Sequence, residues 1–233
     1  MEKIRHPHVT DVYASFFFLK LNPAFRMLMS NERITAKQEF ENAVAVCQDK
    51  IFLRTYSLMG LRSECDMLFW RISPDLDGLQ ESSARMFSAG VGKHLIATHS
   101  FLGTYHLPDS AARRETECGC VPKGLFGRFR FLLLHPVLRS HTWYELSEAE
   151  RQRLMAERST VLARHPGVQE HFFSSYGLDD HELIVVREAE KLADLASASR
   201  ELREQRIKNF SRCDTPVMLC IGRDLRDIMD ALG

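Results

Sequence analysis

The run EAERQRLMAERSTVLARHPGV, Glu148 to Val168, has the three- and four-residue apolar spacing of an amphipathic helix, with Leu154, Val161, Leu162 and His165 on one face. Arg158 falls in the middle of that face. An arginine is almost never buried without a partner, so whatever packs here must supply an anion or leave the guanidinium a route to water. The blander possibility is that the side chain lays its methylenes on apolar surface and sends its charge to water or to a nearby carboxylate. Elsewhere His135 ends an apolar strand pattern, His171 begins one, and Glu182 starts the next. Two imidazoles and a carboxylate form a donor set for a non-haem metal if the strands bring them to one cavity, although none of the three lies at short ligand spacing. Otherwise each histidine is a polar strand end that meets solvent or a carbonyl. Cys118-Gly-Cys120 is the one close cysteine pair, and it lacks the second pair that a zinc site needs.

The elements that must hold these residues follow from patterning. The chain has 233 residues, with Lys plus Arg and Asp plus Glu both at 31, so no global field points to nucleic acid or an anionic membrane. The longest apolar runs are much too short to span a bilayer, and nothing resembles a signal peptide. Six scattered cysteines then indicate free thiols in a reducing cytoplasm. The segment from Tyr56, YSLMGLRSECDMLFWRISPDLDGLQESSARMF, has an echo from Phe172, FFSSYGLDDHELIVVREAEKLADLASASREL. Each reads strand, Gly-Leu turn (Gly60-Leu61, Gly177-Leu178), strand, helix, and each is preceded by a strand and a helix. The order strand, helix, strand, strand, helix, strand therefore occurs twice, which predicts an α+β, duplicated ferredoxin-like chain. Two such units can bury their bare sheet faces in a barrel with helices outside.

Strands are expected near 12–19, 51–58, 69–72, 129–134, 172–176, 183–186 and 217–221, and helices near 33–47 and 147–165. A short helix, LRDIMDALG, closes the chain. The halves are 1–105 and 128–233, joined by a Pro-, Gly- and charge-rich linker or flap over 106–127. The basic run from Arg200 to Lys208 reads as a solvated helix face.

Four stretches, LRTYSLMGLRSECDMLFW, HPVLRSHTWYELSEAERQRLMAE, SYGLDDHELIVV and DTPVMLCI, resemble the chlorite dismutase-like proteins, which include coprohaem decarboxylases. They span nearly the whole chain in order. The resemblance implies a duplicated ferredoxin-like fold, a homo-oligomer (rings of five), and haem or coprohaem in the C-terminal half. It also implies an iron-ligating histidine at the position held here by Arg158, whose guanidinium has no lone pair to offer. Arg158 could instead pair with a carboxylate or phosphate of a bound ligand. His135 and Arg139 stand where the decarboxylases carry a catalytic tyrosine and a lysine. The distal arginine of the dismutases falls at or next to Glu170 and His171, and Trp143 is retained.

His165 could ligate two turns along the helix, although His165-Pro166-Gly167 marks the helix end, where a histidine meets the last carbonyls. The pocket candidates are thus His135, Arg139, Trp143, Arg158, Glu170 and His171, with His135, His171 and Glu182 as the metal alternative. Two classes of function follow. One is a diverged oxidoreductase that still binds a tetrapyrrole with altered axial ligation. The other is a haem-free relative using the pocket for a non-haem metal or another small-molecule ligand, or serving only in assembly.

Overall fold

The computed structural model describes residues 11–108, 116–117 and 121–233, so Cys118 and Cys120 lie outside the described residues. The chain divides into two compact units, residues 1–127 with 223–233, and residues 128–222.

The first unit runs β1 (Asp11–Leu21), α1 (Ser30–Gln48), β2 (Phe52–Ser57), β3 (Met67–Ser73), α2 (Leu76–Ser88) and β4 (Leu95–His106). A short antiparallel pair follows, β5 (Thr116–Glu117) with β6 (Val121–Pro122). The sheet order β2-β3-β1-β4 is antiparallel throughout, with Phe17 opposite Phe69 and Leu53 opposite Arg71. Alternation buries Phe16 and Phe18 completely. Asp75 caps α2 by accepting from the Gly78 amide at 2.7 Å, as a carboxylate at a helix start should.

The second unit repeats the plan with β7 (Phe131–Arg139), a short helix α3 (His141–Glu145), α4 (Glu148–Ala163), β8 (Val168–Ser174), β9 (Leu183–Ala189), α5 (Leu192–Arg203), β10 (Ser211–Cys213) and β11 (Met218–Gly222). Its order is β8-β9-β7-β11, the first unit's order over again, with β10 also paired to β7. Ser147 and Glu150 form a reciprocal capping box that fixes the start of α4, the Ser147 hydroxyl accepting from the Glu150 amide at 3.3 Å. Gly60 and Gly177, the anchors of the repeat, adopt the same left-handed backbone, at φ 75° and 72°. The fold is therefore the duplicated ferredoxin-like α+β fold expected from the repeat.

Two differences from the sequence-based expectation stand out. The repeat calls for a strand where β4 lies but the sequence does not mark its bounds, because only two of its positions are buried and His, Thr, Ser and Gly interrupt it, so it shows little alternation. The closing helix α6 (Leu225–Leu232) packs in the first unit, so residues 128–233 do not form one half. The reason is its apolar stripe: Ile228, Met229 and Leu232 join Phe40, Val44 and Phe69 in one core. Each such buried side chain contributes roughly 1.5–3 kcal/mol. A bidentate pair from Arg226 to Glu41, at 2.6 and 2.9 Å, holds the helix from outside.

One charged side chain is buried against the first unit's sheet among the described residues. Arg71 on β3 is 3% exposed and has only hydroxyls and a carbonyl for partners: Ser15 at 2.9 Å, Ser82 at 3.0 Å, Ser83 at 2.6 Å and the Leu79 carbonyl at 3.3 Å. Its guanidinium also lies 4.9 Å from the centre of the Phe17 ring. Burial lowers its pKa to about 10.

Candidate functional site

The second unit buries three charged side chains, Arg158, Glu170 and Arg187, together. On α4 the buried positions are Leu154, Arg158 and Val161, so the arginine does lie in the packed face. Strand register sets what it meets. Glu170 is opposite Arg187 and Phe172 opposite Val185 in the β8–β9 pair, while His135 is opposite Val185 and Leu133 opposite Arg187 in β7–β9. Glu170, Phe172, Val185, Arg187 and His135 therefore share one face of the sheet.

Both terminal nitrogens of Arg158 donate to the two oxygens of Glu170, Nη2 to Oε1 at 2.5 Å. Arg187 Nε donates to the same carboxylate at 2.6 Å. The three side chains are 9%, 4% and 5% exposed, so this is a buried Arg–Glu–Arg triad. The Arg158 guanidinium also lies 4.6 Å from the centre of the Phe172 ring, a cation–π arrangement. Desolvation, and the like charge of Arg158, lower the pKa of Arg187. The anion that the sequence required beside Arg158 is thus an internal one, and it is Glu170.

Next to the triad is a small cavity of ≈ 30 Å³, lined by His135, Arg139, Arg158, Arg187, Lys208, Ser211 and apolar side chains that include Phe172 and Leu202. His135 is 4% exposed and its Nδ1 is buried without a hydrogen-bond partner. Burial first, then the charges of Arg187 and Lys208, hold its pKa well below the usual histidine value, so it is neutral. Arg139 stacks over Trp143 at 4.4 Å and makes a long contact, 3.5 Å, to the Ser211 hydroxyl. Its Nε is also buried with no partner. Trp143 on α3 packs against Phe210 and is 8% exposed. Lys208 is held by Asp214 at 2.7 Å, and hydrogen bonding from Lys208 lowers the Asp214 pKa.

The structure gathers His135, Arg139, Trp143, Arg158 and Glu170 around one place, and it separates the rest. His171 is opposite Val186 and so points to the other face of the sheet, where its Nε2 is 3.4 Å from Glu188. Glu182 accepts from the backbone amide of Arg139 at 2.9 Å. The proposed metal set of His135, His171 and Glu182 is therefore not assembled, because two of its members stand on opposite faces. Among the described residues no cluster of three His, Cys, Asp or Glu side chains could hold a metal ion. His165 lies 3.1 Å from Glu201 on α5, at the helix end, and does not line the cavity.

Sequence reasoning missed Arg187, Lys208, Ser211 and Asp214. Arg187 had a signal: in LIVVREA it falls in phase with Leu183 and Val185, and it echoes Arg71 in LFWRIS at the same place in the repeat. Lys208 was hidden in the basic run, of which Arg200, Arg203 and Arg206 are exposed as expected.

Among the described residues no helix is long and apolar enough to cross a membrane. In sequence the chain is similar to the coproheme decarboxylase of Mycolicibacterium smegmatis, 25% identical over 164 residues that cover 69% of this chain and 68% of the relative. It is also similar to that of Staphylococcus carnosus, 22% identical over 181 residues covering 69% and 70%. In fold it is similar to a mutant chlorite dismutase from Candidatus Nitrospira defluvii, with a TM-score of 0.83, 22% identity, and 94% of both chains covered. The family model for chlorite dismutase matches residues 33–223, and the chain belongs to the chlorite dismutase family.

Proposed function

We propose that this chain is a haem-free member of its family, one whose ligand pocket has been rebuilt for a small molecule. The observation that carries the reading is the Arg158–Glu170 pair. By the sequence resemblance these two positions flank a porphyrin, Arg158 at the proximal histidine and Glu170 at or next to the distal arginine, yet here their side chains meet in a direct ion pair. A side chain cannot cross the space that a macrocycle occupies.

Two further points support it. The cavity of ≈ 30 Å³ is about a tenth of the smallest pockets, roughly 300–1,000 Å³, that take drug-sized ligands. Guanidinium stays protonated and has no lone pair for iron, and here its donor fork is already filled. The residues present do not fit haem.

A second reading, tetrapyrrole binding with altered ligation, is favoured by the relatives, which are coproheme decarboxylases. It draws also on His135, a buried neutral imidazole that lines the cavity and whose Nδ1 has no hydrogen-bond partner. Titration with haem and coprohaem separates the two. The intact protein is expected to give no shifted Soret band, whereas the double variant Arg158→His, Glu170→Gln removes the bridge, restores an imidazole and gains the spectrum of histidine-ligated ferric haem. A Soret band of an imidazole-ligated haem in the intact protein, lost in His135→Ala, would establish the second reading.

The family resemblance also supports a homo-oligomer, for which Met27, Met29 and Ile34, 86%, 65% and 65% exposed, supply apolar surface to cover. Light scattering showing a monomer at micromolar concentration refutes that.

A further inference from the structure

The first unit buries a cation that no carboxylate among the described residues neutralises. Arg71 is 3% exposed, and every partner of its guanidinium is a hydroxyl or a carbonyl. Nη1 is shared between the Leu79 carbonyl and the hydroxyls of Ser82 and Ser83, and Nη2 donates to Ser15 at 2.9 Å. Nε is buried with no hydrogen-bond partner. Ser82 and Ser83 turn their own protons to the Leu79 carbonyl, at 2.8 and 3.0 Å, which leaves the Ser15 proton as the one of the three still to be donated.

Strand register shows how this place differs between the two units. Arg187 has Glu170 opposite on one neighbouring strand and Leu133 opposite on the other. Arg71 has Leu53 at the carboxylate's place and Ser15 at the leucine's. Directly opposed residues share a sheet face, with Cβ atoms about 4.5–5.5 Å apart, so both exchanges fall beside the guanidinium. On one side the carboxylate is replaced by an apolar group. On the other a bulky apolar group is replaced by a small side chain that carries a donor.

A buried guanidinium is costly unless its charge is met, and hydroxyl dipoles meet only part of it. The donors left over define what meets the rest. Nε and Nη2 lie along one edge of the guanidinium, and Ser15 already accepts from Nη2, so a planar oxyanion finds no open two-pronged fork here. One N–H and one neighbouring O–H remain, an arrangement that suits a single acceptor atom. Leu53, 1% exposed, and the Phe17 ring, 4.9 Å from the guanidinium, make the surroundings apolar, which strengthens a charge contact and favours an anion that sheds its water readily.

We propose that Arg71 and Ser15 form a binding site for a monatomic anion of the chloride and bromide class, held by Arg71 Nε–H and Ser15 Oγ–H on the β1 side of the cation. The ion takes in the first unit the part that the Glu170 carboxylate takes in the second. The site is independent of the haem-free reading, since Arg71 and Ser15 both belong to the first unit.

The test compares thermal midpoints of the full chain, followed by far-UV circular dichroism, in sodium chloride, sodium bromide and sodium gluconate at equal ionic strength. Chloride and bromide are expected to raise the midpoint by about 2–4 °C over gluconate and to saturate with concentration, as one bound ion should. Two variants locate the effect. Ser15→Leu gives β1 the side chain that Leu133 has on β7, and Leu53→Glu supplies an internal carboxylate as Glu170 does on β8; each is expected to remove the halide-specific shift. Crystals of the unaltered protein soaked in bromide give a readout that needs no variant, an anomalous peak in contact with Arg71 Nε and Ser15 Oγ. Equal midpoints in chloride and gluconate overturn the proposal, as does a shift that persists undiminished in either variant, or bromide found only elsewhere. Bromide at Arg71 with no shift in solution marks an adventitious ion only, and overturns it as well.

Discussion

Replacing Glu170 by Gln is the sharpest test of the buried triad. The change is nearly isosteric, so packing stays and only the negative charge leaves. In the native protein that one carboxylate receives three hydrogen bonds from two guanidiniums, with all three side chains at most 9% exposed. Its loss strands two like charges in a space that water does not reach. Removing one partner of a buried ion pair costs about 3–5 kcal/mol, and here a single change unpairs two cations, which places Glu170→Gln at about 4 kcal/mol or above. Arg158→Met should cost less than half of that, because Glu170 keeps Arg187. The triple variant with Met at 158, 170 and 187 should recover most of the loss, since a well-packed apolar set can match or exceed a buried ionic one. Urea denaturation followed by far-UV circular dichroism measures this, and with a slope of about 2 kcal/mol per molar the Glu170→Gln midpoint falls by about 2 M. A loss under about 1 kcal/mol for Glu170→Gln, or a triple variant weaker than the single, would refute the claim that the triad is desolvated and mutually dependent.

Three further outcomes are expected. His135 is neutral in the folded protein, held so by burial and by Arg187, Lys208 and Arg158 against the opposing pull of Asp214. The unfolded chain therefore takes up a proton below a pH of about 6.5 that the native state refuses, and stability should drop by about 1.4 kcal/mol per pH unit there; His135→Leu should flatten that slope, and identical slopes would contradict it. With Cys118 and Cys120 changed to Ser, iodoacetamide should label Cys213 well before Cys47, Cys65 or Cys220, because hydrogen bonds from Thr215 lower the Cys213 pKa while burial raises that of Cys47 and pushes Cys65 up to about 11. Peptide mass spectrometry decides that order. Ser147→Ala removes the α4 capping box and should cost about 1 kcal/mol in thermal melts, with no change taken as evidence that the helix start is held by packing alone.

The fold was legible because its punctuation is local. The turns at Gly60 and Gly177 take left-handed backbone, which glycine adopts without a steric penalty, and the echo around them gives the second unit from the first. Arg158 was legible as a question for the same reason, since helical periodicity alone puts it among Leu154 and Val161. Its partner was harder to read. Whether Glu170 or His171 faces the helices depends on strand register, and a slip of one residue exchanges them. That parity is written in the β8–β9 and β7–β9 pairings, between residues far apart in sequence. The same ambiguity produced the metal set: His135 and His171 each lie on a strand face, but only the pairing tells that the faces are opposite. Lys208 and Ser211 reach the cavity from a 3-10 turn and a three-residue strand, elements too short for any period to mark.

Arg71 carries a consequence of its own. It occupies on β3 the place that Arg187 occupies on β9, and each sends a terminal nitrogen to a serine one element later, Ser83 and Ser199. Opposite Arg71 the sheet has Leu53, where opposite Arg187 it has Glu170. One chain thus answers the same problem twice, once by dipoles and once by a counter-ion. The dipole answer leaves Arg71 a cation that depends on no carboxylate, so the loss of one acidic side chain can unpair Arg187 but not Arg71. The duplication is thereby an internal reference, in which the protein itself measures what one acidic side chain adds to a buried arginine.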